Sequence, residues 1–156
     1  MAYIYPAPGV TDVEVTLTLE DNSGTLTGSL VLPSLQDITL NNSNDVFTWT
    51  QLDETAKLQV ATTSTNSLSM NLVLEQDSFF GTGVVGTVAG TGVIGLSTNK
   101  TLVDFTLFLG KTSAGGAGKT VTGSGYVTGL APTVSADSPV WVSPITLTVT
   151  GEYTIS

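Results

Sequence analysis

The chain has 156 residues, no cysteine and no histidine, and 13 carboxylates against four lysines, for a net charge of -9. That length suffices for one buried core without staples, while the missing cysteines exclude disulfides and any imprint of an oxidising compartment. Without His or Cys there is no Ser-His-Asp or Cys-His catalysis and no ordinary zinc site, and the negative charge argues against nucleic-acid binding by counterion release.

Only 11% of residues are charged and 40% are hydrophobic. A surface so weakly charged is sticky on its own, which favours burial in an assembly. Residues 1–9 (MAYIYPAPG) read as an extended arm, kept from helix by its prolines: either a frayed terminus or a segment whose Tyr3, Ile4 and Tyr5 anchor it against a neighbour. The start lacks the basic region and apolar core of a signal peptide, and no apolar run approaches the roughly 18–20 residues of a membrane helix. Neither export by that route nor a membrane partner is expected. Residues 10–156 read as a single domain.

The first strand runs from Asp12 to Glu20, with Val13, Val15, Leu17 and Leu19 inward and Asp12, Glu14, Thr16, Thr18 and Glu20 on a wet, acidic face. A turn at residues 20–24 returns the chain along Thr25 to Leu32 as a hairpin. Pro33 ends it, Asp37 to Leu40 reads as a short strand, and Asn41 to Asp45 (NNSND) is a turn-forming cluster, in a region near 33–45 expected to hold flexible loop. Val46 to Thr50 and Lys57 to Ala61 are two strands around Gln51 to Thr55, the one place where the pattern leaves room for a single helical turn. Leu68 to Leu74 alternates again.

Phe79 and Phe80 precede a near repeat, Gly81 to Gly86 (GTGVVG) and Gly90 to Gly95 (GTGVIG). It reads as glycine-punctuated strands or a loop near 75–95, covered only when a partner packs on it. Both copies satisfy the letters GxGxxG, yet a dinucleotide site needs a helix opening on the last glycine, and none of adequate length is expected after either copy. Leu102 to Leu109 is a strongly apolar strand, and Gly110 to Lys119 a flexible loop. Its Gly118-Lys119-Thr120 is not a phosphate loop, since the required earlier glycine is Ser113. The carboxylate pairs Asp53 with Glu54, Glu75 with Asp77, and Asp12 with Glu14 read as solvated charge. No catalytic, metal or cofactor residue is expected, and the chain reads as a non-enzyme.

Recurring turns predict an all-β antiparallel sandwich or partial barrel of about eight to ten strands. The last third is its most regular part. Gly123 to Leu130 (GSGYVTGL) is a glycine-flanked strand, Pro132 to Pro144 a polar connector holding Trp141, and from Ile145 the residues Ile145, Leu147, Val149, Gly151, Tyr153 and Ile155 alternate with threonines and Glu152.

This GxGYVTxL strand, connector and VTGEYT strand resembles the C-terminal end of tail tube proteins of long-tailed, siphophage-like bacteriophages. The resemblance implies a sandwich that lends strands to an inner β-barrel shared by six copies, in rings stacked into a hollow virion tail tube for DNA ejection into the host. It implies self-association, tape measure, tail terminator and baseplate or tip partners, genomic DNA passing without specific binding, and synthesis in the host cytoplasm. An acidic, hydroxyl-lined lumen suits sliding DNA, with Asp12, Glu14, Glu20 and then Glu152 as lumen-facing candidates. Contacts between subunits are expected at Tyr3, Ile4, Tyr5, Phe79, Phe80 and Trp141. Such folds carry a flanking helix, and none is legible here. The alternatives are a capsid decoration or fibre module, or a carbohydrate-binding sandwich using Trp49, Trp141 or Tyr126.

Overall fold

The computed structural model describes residues 14–19, 27–32, 35–53, 55–111 and 118–156. Among them run β1 (Glu14–Leu19), β2 (Ser29–Leu32), β3 (Leu35–Trp49), β4 (Leu58–Val73), α1 (Gln76–Phe80), α2 (Val88–Thr98), β5 (Val103–Lys111), β6 (Gly118–Leu130), β7 (Thr133–Ser135) and β8 (Ser138–Ile155). The strands form one sheet in the order β2-β1-β5-β6-β8-β4-β3, with β7 paired to β8 and every strand pair antiparallel.

This sheet must curl. Its two outermost strands, β2 and β3, are joined by two residues between Leu32 and Leu35. Three Cα steps reach at most about 11 Å, whereas six flat strand spacings would need about 29 Å. Curling brings the inner faces together over one core, in which Val15, Leu17, Leu68, Met70, Phe105, Leu107, Ile145 and Leu147 are all 0–2% exposed. The period-two pattern read from the sequence supplies these residues on β1, β4, β5 and β8 alike.

Three loop expectations are corrected. Residues 35–45 all belong to β3, which contains the short strand expected at 37–40 and replaces the turn expected at 41–45, because Asn41, Asn42, Ser43 and Asn44 pair one for one with Ser67, Asn66, Thr65 and Ser64. The 75–95 region holds α1 and the start of α2, which is the flanking helix that the sequence did not reveal. The Gln51–Thr55 region, the one place allowed a helical turn, has no helix among its described residues, and the helices are α1 and α2 instead. Of the 110–119 loop, residues 110–111 and 118–119 end β5 and begin β6, and the rest lies outside the described residues.

Glycine explains why α1 and α2 escaped notice. Thr82 N donates to Ala89 O at 3.1 Å and Gly83 N to Gly90 O at 3.3 Å, so the repeats lie backbone against backbone. A Cβ at Gly90 would collide with the Val84 carbonyl, and one at Gly92 with the Gly81 amide. Gly92 also has φ +65 and kinks α2. Phe79, Val88, Val93 and Leu96 thereby reach the core.

The alternation of the closing strand is interrupted by a bulge after Val149. Gly151 has φ +78, and between the Ser124–Thr150 and Thr122–Thr154 pairs β8 takes two residues more than β6. The two extra residues keep the alternation in phase, so Ile155 stays opposite fully buried Val121 on the inner face, and as the last residue of β8 it is 58% exposed.

Candidate functional site

Beyond Asn41 and Asn66 the β3–β4 hairpin leaves the sandwich and forms an arm in which no described side chain is buried. It is held by polar bonds across the strands: Asn42 Nδ2 donates to Asn66 Oδ1 at 2.5 Å, Ser64 to Asn44 at 2.6 Å, and Thr63 to the Asp45 carboxylate at 2.9 Å. A bulge between Asn44 and Val46 lies in the middle of this ladder. At its tip Phe47 stacks on Trp49 with ring centroids 5.8 Å apart, beside exposed Val60 and Leu52. A two-stranded ribbon without a core is marginal alone, and an exposed aromatic pair on it marks a surface that another molecule covers.

Near the other end of β4, Leu74 N donates to Trp141 O at 2.9 Å. Here Leu74, Phe80, Pro132, Pro139, Val140 and Trp141 line an apolar groove of about 620 Å³. On its rim Glu75 caps α1 by accepting from Ser78 N at 2.9 Å. Hydrogen bonding from Ser78, through its hydroxyl first and its amide second, holds the Glu75 carboxyl below the ordinary glutamate range.

Two wet faces complete the surface. Across β1, β5, β6 and the end of β8, Thr18, Thr106, Thr122 and Thr154 surround Asp104 and Glu152 over a shallow polar depression, where Ser124 donates to Asp104 at 2.6 Å. Across β3, β4, β8 and the end of β6, the outward residues include Thr39, Ser67, Ser69, Thr146 and Thr148, with exposed Tyr126 opposite Thr148. Asp37 joins this face, accepting from Asn71 Nδ2 at 2.9 and 3.0 Å.

No family profile matches the chain, and no curated protein matches it in sequence. Solved structures do. A chain of the anti-feeding prophage baseplate, solved with 6-fold symmetry, superposes with TM-score 0.66 at 13% identity over 96% of both chains. The SPP1 tail tube gives 0.62 at 9% identity over 92% of this chain and 76% of that one. The tail of an empty gene transfer agent particle, with C6 symmetry, gives 0.61 at 10% identity over 91% and 94%. The fold is that of tail tubes. Its likenesses include contractile injection systems as well as the SPP1 tail tube.

Within this tail-tube fold the expected contact residues separate. Phe80 and Trp141 are 57% and 51% exposed and line the same groove. Phe79 is fully buried in the chain's own core, so it is not free for a subunit contact. Its ring meets Phe80 edge-on at 5.0 Å and props that ring outward. Glu152 is exposed beside the Asp104 depression, and Glu14 lies opposite Phe108 on β1. Tyr3, Ile4, Tyr5, Asp12 and Glu20 lie outside the described residues.

Sequence reasoning missed the arm. NNSND reads as a turn by composition, and only the matching Asn-Ser-Thr run at residues 64–67 on the partner strand hints at a ladder. The GxGxxG letters find α2, but α1 and not a strand precedes them and the sheet pairing is antiparallel. Gly118, Lys119 and Thr120 lie on β6, with no helix following.

Proposed function

We propose that this chain is the subunit of a tail tube, six copies closing into a ring and rings stacking into a hollow conduit through which DNA is ejected into a host. The arm carries this reading: a hairpin with no buried side chain beyond the sandwich and an exposed Phe47–Trp49 tip is a protein surface awaiting another copy. The likeness to chains of a gene transfer agent tail and an anti-feeding prophage baseplate, both solved with sixfold symmetry, supports the ring size. Similar chains also come from a tube terminating cap and a sheath/tube terminator, which supports end partners of those kinds. A tape measure inside the tube is part of the same proposal.

Conduction follows from charge. A net charge of -9 and the absence of arginine leave few groups to hold phosphate, so DNA slides instead of sticking. The protein acts as a structural virion component and not as an enzyme, made in the host cytoplasm before assembly. Phe80 and Trp141 belong to contacts between copies.

Negative-stain electron microscopy with light scattering, on protein concentrated at low and moderate salt, tests this. Rings or stacked hollow tubes are expected. A monodisperse monomer or trimer at every concentration would overturn it.

A further inference from the structure

The apolar groove and the start of the chain lie at opposite ends of the sheet. At one end Glu14, the first residue of β1, is opposite Phe108, and Phe108 is opposite Thr120. At the other end, beyond Leu130 and its partner Ile145, the groove is walled by Phe80, Pro132, Pro139, Val140 and Trp141. Its Phe80, Val140 and Trp141 side chains are exposed, and its volume of about 620 Å³ has room for several side chains.

Two prolines and two aromatic rings make stiff walls. Such walls suit an extended, proline-containing peptide, whose backbone is ordered before it binds. The chain holds one such segment. Tyr3-Ile4-Tyr5-Pro6-Ala7-Pro8 puts three large apolar side chains and two prolines into six residues, with no charge. The Phe47–Trp49 tip fits less well. Its rings are stacked on each other, and Asp53 and Glu54 follow them, carboxylates that would meet Glu75 on the groove rim. Like charges disfavour that pairing, and the neutral segment avoids it.

Distance decides which copy supplies the segment. Along β6, ten residues from Thr120 to Leu130 span about 33 Å, and Trp141 lies four residues past Ile145, about 13 Å more. The nine residues from Tyr5 to Glu14 reach at most about 32 Å. Tyr5 therefore falls short of its own groove. A copy stacked head to tail instead presents its Glu14 end to the groove end of the next.

We propose that residues 3–8 of one copy dock in the groove of a copy in the adjacent ring, the proline segment lying across Phe80 and Trp141. This deepens the tube reading and rests on it. Because segment and groove are different surfaces at opposite ends, the contact is head-to-tail and repeats without closing, which gives the stack its polarity.

The absence of native cysteine makes the test direct. Val140→Cys is combined in one chain with Ala2→Cys, Ile4→Cys or Ala7→Cys in turn, and each double variant is assembled, oxidised and run on a denaturing gel. For sixfold rings, links between rings give a ladder that runs past six copies. Links around one ring stop at six and links within one copy give no ladder, and either result would overturn the docking. So would a ladder from Leu52→Cys with Val140→Cys, which puts the arm tip in the groove. Tyr5→Ala in the otherwise unmodified chain is the second readout. Rings persist, while the concentration needed for tubes rises about tenfold or more, as for the loss of an aromatic anchor.

Tubes with no ladder from any pair and no effect of Tyr5→Ala would overturn the docking and leave the tube reading intact. If the unmodified protein forms neither rings nor tubes, both readings fall.

Discussion

Gly90 and Gly92 show how a single missing Cβ permits an element. At Gly92 an alanine would meet the Gly81 amide and the Phe79 carbonyl, and φ +65 adds strain. We expect Gly92→Ala to lower stability by about 2–3 kcal/mol, as overpacking and left-handed strain combine. Gly83→Ala is the control. It has φ +76 but open space, so strain alone costs about 1 kcal/mol. Urea midpoints measure both, and equal losses would show that close packing is not what these glycines serve. Glu75 carries a different residue-scale expectation. Its folded pKa is depressed, so the stability it contributes is present above the unfolded value and is lost as pH falls through the lower folded one. An NMR titration should place Glu75 below exposed glutamates, and Ser78→Ala should move it back up.

At the scale of elements, the arm and the sandwich separate assembly from folding. None of the described side chains from Asn41 to Thr65 is buried. Replacing Asn44 to Ser64 by an Asn-Gly turn should therefore leave the sandwich folded, with a melting temperature within a few degrees, while abolishing rings and tubes. Circular dichroism melts and microscopy check the two halves, and tubes from the shortened chain would refute the arm's role. The same division explains what the sequence showed. Val15, Leu17, Met70, Phe105 and Leu147 were legible because a sandwich writes its core in period two. The arm was not, because its pairing lies in polar side chains that local rules assign to turns. Nor was α2, since VAGTGVIGLST is helical only where a second glycine-rich segment packs on it, a tertiary effect that no window of sequence contains. Of the candidate site, Phe80 and Trp141 were found as isolated apolar residues, and the fold alone puts them in one groove.

For the whole molecule, charge and assembly act against each other. Each copy carries -9, so closing a ring and stacking rings brings like charges together, and long-range repulsion opposes every contact that the apolar surfaces favour. Salt screens the repulsion over a Debye length of about 10 Å at 0.1 M, yet hardly weakens strand pairing or apolar burial. The protein concentration needed for tubes should therefore fall as salt rises from about 10 to 200 mM, then level off as screening saturates. Light scattering across a salt and concentration grid measures this. A tube held mainly by exposed ion pairs would show the reverse, dissolving as salt rises. With four lysines in the whole chain there are few cations to form such pairs, so assembly promoted by salt is the outcome that a tube of such acidic copies requires.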